Sequence, residues 1–290
     1  MSTILITGAS GTIGREVIRA LRVFSTTATV VVGVRTMGEE SFLAADSGII
    51  PVHFDFENPN TFAPALRKCT VLFLLRPPHI SDVSAIFEPL ILAAKQNGVR
   101  HVVFLSVQGV ENSSLIPHHS IEKLVVQSGL GYTFLRPAYF FQNFTTTFRH
   151  DIVHKHQVVI PAGKTKFTVI DAQDIGRVAA CVLLNPQKYQ NHAFDLTNEE
   201  QLTFAQMVDT IGEFTGRSIR YISPNLIQFF YLKRKEKVPV MLILVLIMLH
   251  YLPRFQKVPP TSRWVERITG QKPATFADFV ARNTAAFTEV

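Results

Sequence analysis

The chain has 290 residues, 47% of them hydrophobic and 18% charged, which allows one large core, or one core and a smaller second one, and excludes a disordered or fibrous chain. The net charge of +7 is uneven: residues 213–272 hold eleven Lys/Arg against three Glu, and the rest of the chain eighteen against nineteen. With no recognisable nucleic-acid-binding module, that excess reads as a solvated basic face, and nucleic acid is not an expected partner.

The first half alternates short apolar runs with helical patterns. Strands are expected at 3–7, 28–34, 50–54, 71–75, 101–106 and 132–137. Most are continuous Val/Ile/Leu/Phe runs, the pattern of strands buried on both faces of a parallel sheet. After Gly11, Ile13, Val17, Leu21 and Phe24 fall on one helical face, with Arg15, Glu16, Arg19 and Arg22 on the other. Asn58-Pro59 is a helix start. Ser81 is positioned to cap a helix running towards Asn97 and closed by Gly98, with Pro89 inside it as a kink or as its effective start. Beyond Pro137 the pattern changes to aromatic clusters, short strands at 157–161 and 166–170, and then mostly helices: 171–184, one opened by the Thr203/Gln206 capping box, and others near 225–235, 240–251, 261–268 and 275–286. Cys69 and Cys181 sit among apolar residues and read as reduced thiols. With no signal peptide in MSTILITGAS, a cytoplasmic location is expected.

The expected fold is α/β, a doubly wound parallel (Rossmann) sheet with a smaller, mainly helical C-terminal substrate lobe. Residues 1–150 form the nucleotide-binding core, with about 166–200 returning to it, and 151–290 form mainly the lobe.

The sharpest motif is TILITGASGTIGREVIRAL, with Gly8, Gly11 and Gly14 between the first strand and the first helix. Gly8 permits a tight turn, Gly11 lets the backbone approach a pyrophosphate, and Gly14 lets helix pack on strand. The helix N-terminus then offers free N–H groups and a positive dipole end. The contacts expected from this turn are Gly8, Ser10, Gly11, Thr12, Ile13 and Gly14. The second strand ends in Arg35, twenty-one residues after Gly14, and no acidic residue follows until Glu39. A guanidinium there suits a ribose 2′-phosphate, so NADP(H) is expected in preference to NAD(H). Leu75 and Arg76 end the fourth strand, where ligands of such sheets bind.

The G-x-x-G-x-x-G spacing resembles the short-chain dehydrogenase/reductase superfamily. GVR (33–35), FLSVQGVENS (104–113), LRPAYFFQNF (135–144), DAQDIGRVAA (171–180) and TGQKPATFADFV (269–280) are similar to its NmrA-like atypical branch, which includes NADPH-dependent quinone and triphenylmethane-dye reductases. The resemblance spans essentially the whole chain. It implies adenine contacts at Asp55 and Phe56, although Asp55 can equally be a turn residue capping the next helix. It also implies backbone contacts to the nicotinamide from Pro137 to Phe140, with Tyr139, Phe140, Phe141 and Phe144 around the cofactor end. Typical members use a serine after the fifth strand and Tyr-x-x-x-Lys on the next helix. Here the serine is Ser106, the tyrosine position holds His119, and Lys123 follows.

The stretch IPHHSIEK (116–123) admits three readings. His118 and Glu122 share a helical face and supply two metal ligands, short of the three or four that a site needs, and no metal is assigned. His119 can act as the proton donor. Alternatively the helix is a cofactor wall, with Lys123 on the ribose and His119 shaping the pocket. HDIVHKH (150–156) also lacks a metal motif. Twenty-three phenylalanines, with Phe141, Phe144, Phe229, Phe230 and Tyr231 in the later half, mostly fill core and otherwise suit a planar apolar acceptor.

The expected activity is hydride transfer from NADPH to a quinone-like or aromatic acceptor without the usual tyrosine. The second reading is a non-catalytic dinucleotide sensor acting through a protein partner. VPVMLILVLIML (238–249) is too short to span a bilayer and reads as a buried helix, a homodimer face or a pocket wall; next to KRKEK it also admits a place on a membrane surface.

Overall fold

Continuous apolar runs do become strands. The computed structural model describes residues 2–24, 27–36, 48–114 and 116–288. In chain order the strands are β1 (Thr3–Ile6), β2 (Thr29–Val34), β3 (Ile49–His53), β4 (Val71–Leu75), β5 (His101–Leu105), β6 (Gly131–Pro137), β7 (Tyr139–Phe140), β8 (Gln157–Val159), β9 (Lys166–Ile170), β10 (His192–Leu196), β11 (Gln201–Thr203) and β12 (Arg220–Ile222). The helices are α1 (Thr12–Val23), α2 (Phe62–Leu66), α3 (Val83–Gln96), α4 (Pro117–Gln127), α5 (Arg149–Lys155), α6 (Ala172–Leu184), α7 (Phe204–Thr215), α8 (Leu226–Lys235), α9 (Val240–His250), α10 (Trp264–Thr269), α11 (Phe276–Arg282) and α12 (Thr284–Thr288). They form two compact units. One takes the chain up to Ala138 with Ala172–Leu196 and Arg263–Lys272; the other takes Tyr139–Asp171, Thr197–Ser262 and the residues from Pro273 onward.

The first unit is a seven-stranded sheet in the order β10-β6-β5-β4-β1-β2-β3, parallel throughout. Strand order reverses between β1 and β4, where a doubly wound sheet opens its ligand crevice. Thr7 closes that seam: its buried hydroxyl donates to the Phe73 carbonyl at 3.1 Å and accepts from the Leu75 N–H at 2.9 Å. A core of Phe54, Phe62, Phe87, Phe104, Val125 and Phe134 joins α2, α3 and α4 to the sheet. α1 packs directly on α6, where a Cβ at Gly176 would lie 2.6 Å from the backbone of Glu16. Only glycine allows that approach, which is the physical content of the DAQDIG motif.

Three details differ from the sequence reading. The edge strand β10 has no apolar run to announce it; His192 and Ala193 are exposed and only Phe194 and Leu196 are buried. Asp82 rather than Ser81 caps α3, its carboxylate accepting from the Ala85 N–H at 3.0 Å. α3 also runs unbroken through Pro89 to Gln96.

The second unit holds the sheets β11-β9-β7 and β12-β8. Phe141, Phe144, Phe148, Phe204, Phe276 and Phe279 fill its core. Asp171 is fully buried and accepts from Gln142 Nε2 at 2.8 Å and from Arg282. The capping box predicted at Thr203 and Gln206 opens α7. His250, overlooked in the sequence, ends α9: Nδ1 lies 2.7 Å from the Leu246 carbonyl and Nε2 3.0 Å from the Tyr139 hydroxyl. Donation from Nδ1–H leaves Nε2 to accept from the tyrosine. Of the readings open for α9, the structure does not take that of a buried helix, since only Ile243 and His250 are buried. Among the described residues, no helix is long and apolar enough to cross a membrane.

Two outcomes follow. Burial holds His101 and His250 at a pKa of about 4, below the ordinary 6.5. A base whose folded pKa is depressed contributes stability that is complete above the unfolded value and is lost as pH falls through the window between the two, because the unfolded chain takes up the proton first. The urea midpoint should therefore fall between pH 6.5 and 4; a flat midpoint over that interval would mean that the native imidazoles protonate. Gly176→Val forces α1 and α6 apart and should cost about 1–3 kcal/mol in urea unfolding.

Candidate functional site

The glycine turn leaves β1 at the strand-order reversal. Gly8 takes the left-handed conformation at φ +63°, and the Gly11 N–H donates to the Gly8 carbonyl at 3.0 Å. A Cβ at Gly14 would stand 2.2 Å from the Gly8 carbonyl oxygen and 2.7 Å from Ala9 Cα. α1 therefore begins in direct contact with the turn. Ser10, Gly11 and Thr12 are exposed, whereas the Ile13 side chain is buried and offers only its backbone. Gly11 is the N-cap, with no capping side chain, and the first turn of α1 has no acidic residue. The first N–H groups of α1 and its positive dipole end are thus free to meet an anion, and the turn fits a pyrophosphate.

Arg35 is exposed just beyond β2, the strand paired with β1, at the same carboxyl edge of the sheet. Glu39 lies outside the described residues. At the end of β3, Asp55 forms its own turn: Oδ1 accepts from the Glu57 N–H at 3.0 Å, and its carbonyl accepts from the Asn58 N–H at 3.1 Å. Phe56 is a core residue, edge-on to Phe54 at 4.9 Å, so its backbone is what remains for a ligand.

The ends of β4 and β5 carry the most unusual polar atoms. Leu75 lies beside Gly8. Arg76 curls onto its own loop, with Nη1 donating to the carbonyls of Pro77 at 3.0 Å, Pro78 at 3.1 Å and Ile80. Its Nε and the hydroxyl of Ser106, which is 2% exposed, are buried without a hydrogen-bond partner among the described residues. β4 and β5 are paired, Leu75 opposite Leu105, so these two orphan groups follow neighbouring strand ends. His118 belongs to the same corner. Its ring stacks on Phe104 with centroids 5.8 Å apart, and burial, reinforced by the Arg76 charge, lowers its pKa to about 4. It is a neutral imidazole at physiological pH.

His119 and Lys123 lie on another stripe of α4. They line a pocket of about 500 Å³ with Glu111, Glu122, Tyr132 and Arg136; Lys123, which is exposed, also borders a second one with Ser81, Asp82 and Glu88. Neither pocket includes the glycine turn, Leu75 or Ser106. His119 Nδ1 lies 3.3 Å from the Val110 carbonyl. Glu122 is committed to a bidentate pair with Arg136 at 3.0 and 2.6 Å, and Arg136 reaches Glu111 at 3.0 Å as well. Burial alone would lower the Arg136 pKa; the Glu122 bonds outweigh it and hold the guanidinium above its ordinary value.

Pro137 ends β6, its carbonyl accepting from the Gln108 N–H at 3.0 Å. Tyr139 and Phe140 belong to the second unit, where β7 pairs with β9. There the Tyr139 hydroxyl is taken by His250, and burial drives its pKa well above the ordinary phenol value. Among the described residues no group of three or more His, Cys, Asp and Glu is arranged to hold a metal.

Comparison with known proteins gives this geometry its relatives. Residues 1–246 match the NmrA-like family. The chain belongs to that family. It is 29% identical to an NAD(P)H azoreductase of Xenophilus azovorans over 98% of this chain and 99% of the relative. It is also 26% identical to prestalk A differentiation protein A of Dictyostelium discoideum over 96% and 91% respectively. The solved NADPH complex of the Escherichia coli quinone oxidoreductase QOR2 superposes with a TM-score of 0.86 at 22% identity, covering 96% of this chain and 99% of that one, and shows that the fold is shared.

His118 is the residue whose place the sequence reading missed. Its spacing from Glu122 puts two metal-ligand types on one helical face, but Phe104 and Arg136 draw the two side chains to different partners. The signal was present in the sequence: His118, Glu122 and Val125 form an inward stripe at helical spacing, one residue off the stripe of His119 and Lys123. Ser106→Ala removes a hydroxyl that makes no bond among the described residues, so it should leave urea stability unchanged or raise it by up to about 1 kcal/mol. A loss larger than that would reveal a partner for the hydroxyl.

Proposed function

We propose that the chain is an NADPH-dependent oxidoreductase that delivers hydride to quinone-like or aromatic apolar acceptors. The observation that carries this reading is the glycine turn: Gly14 brings α1 so close to the Gly8 carbonyl that no side chain fits, and the helix N-terminus it presents has no cap and no carboxylate. The full-length similarity to an azoreductase that uses NAD(P)H, and a fold shared with an NADPH-bound quinone reductase, support the chemistry.

In this reading the backbone N–H groups of Ser10, Thr12 and Ile13 hold the pyrophosphate and Arg35 pairs with the 2′-phosphate, the basis of the preference for NADP(H) over NAD(H). Asp55 and the backbone of Phe56 border the adenine. Leu75, Arg76 and Ser106 receive the ribose and nicotinamide end, where the buried Ser106 hydroxyl and Arg76 Nε await an acceptor. When bound, the cofactor supplies the hydride. The protein supplies position. His118, with its pKa lowered to about 4, is no imidazolium at neutral pH, and the proton that completes reduction of a quinone comes from water. His119 and Lys123, in a pocket without the glycine turn, have no role in hydride delivery in this reading.

The test is NADPH oxidation with a panel of water-soluble quinones and azo dyes. Arg35→Ala should raise the KM for NADPH by roughly tenfold or more and leave that for NADH nearly unchanged, as expected for loss of a charge-assisted phosphate pair. His119→Ala and Lys123→Ala should stay within about twofold of the parent in kcat and KM, a change worth under about 0.5 kcal/mol. Tight NADP(H) binding without turnover on any acceptor would overturn the catalytic reading. A tenfold rise in the NADPH KM on Lys123→Ala would return that lysine to the cofactor.

A further inference from the structure

The α8–α9 hairpin presents an apolar face with no partner among the described residues. α9 has the sequence VMLILVLIMLH, and its anchors are Ile243 and the buried, tyrosine-bonded His250. Met241, Leu244, Val245, Met248 and Leu249 are exposed, Met241 to 71%. Phe255 and Tyr231, aromatic and exposed, lie in the segments on either side. Such a run of exposed large apolar side chains marks an interaction surface.

The charge around it identifies the partner. Residues 226–257 contain six Lys/Arg and one acidic residue, Glu236. Glu236 is engaged by Lys155 and Lys233. Arg234, Lys235, Lys237, Arg254 and Lys257 are exposed and form no ion pair with a described carboxylate. A second copy of the chain would set this cationic rim against itself. An anionic bilayer surface satisfies both halves, taking the apolar side chains at the acyl boundary and the cations among its headgroups. Eleven residues of helix span about 16 Å, roughly half the hydrocarbon thickness, so α9 lies in the interface and does not cross it. α9 by itself lacks the polar face of an interfacial helix; α8, ending in Lys233, Arg234 and Lys235, supplies it within the hairpin.

We infer that α8–α9 is a membrane-docking element that seats the protein on an anionic lipid surface. The inference is independent of the proposed reductase activity, and its readout is binding. The full-length protein should float with phosphatidylcholine vesicles containing phosphatidylserine and fail to float with phosphatidylcholine alone. Met241→Ser/Leu244→Ser/Met248→Ser and, separately, Lys235→Glu/Lys237→Glu should each weaken partitioning by about tenfold or more. Both variants change exposed side chains only, so circular dichroism and turnover of a water-soluble acceptor should match the parent. Absence of flotation with either vesicle, or equal flotation with both, would overturn the assignment. So would light scattering that shows a stable dimer in solution dissociated by the triple serine variant, which would give the apolar face to a second copy.

Discussion

The contact on which the first unit turns is between two pieces of backbone. At Gly14 the helix that follows β1 touches the carbonyl of Gly8 with no room for a methyl group. This fixes where α1 starts and the direction in which its N–H groups point. It also sets the line along which α1 meets α6, where Gly176 repeats the device against Glu16. Thr7 ties the end of β1 to β4 at the same level, so hydrogen bonds and a glycine contact both fix the turn at the strand-order reversal. A rigid turn with unspent N–H groups suits an anion because the donors are held in place before it arrives.

The polar groups of the same unit divide into satisfied and unsatisfied. The Glu122–Arg136–Glu111 cluster is satisfied, and it fixes the inner face of α4 against β6. Ser106 and the Arg76 Nε are not, and buried polar atoms are costly to leave unbonded. Their position after β5 and β4, beside the neutral His118, holds two of the three buried polar side-chain atoms that lack a partner among the described residues, the third being Arg177 Nε on α6. In the second unit the polar groups are spent internally: Tyr139 on His250, Asp171 on Gln142 and Arg282.

Much of this was legible in residue order alone. The parallel sheet announced itself in runs of β-branched and aromatic residues, the turn in its glycines, α7 in its capping box, and the family in motifs spread over the whole chain. The misreadings share a cause: they needed partners distant in sequence. β10 is an edge strand half open to solvent, and it exists because β6 offers it a ladder. The Ser81/Asp82 choice of cap depends on where the chain bends. α9 has the composition of a buried helix, and composition is silent about what covers it.

By itself, then, the sequence determined local things: which segments bury both faces, where backbone must pass without a Cβ, and that the residue after β2 is an arginine and not a carboxylate. Tertiary structure decided which face of α4 looks inward. That choice pairs His118 with Phe104 and the Arg76 corner, sends Glu122 to Arg136, and leaves His119 and Lys123 lining the pocket that this ion pair borders. One residue of helix is a rotation of about 100°, so a neighbour in sequence is not a neighbour in space. Only the packed core, with Ile121 and Val125 buried beneath the helix, selects the face.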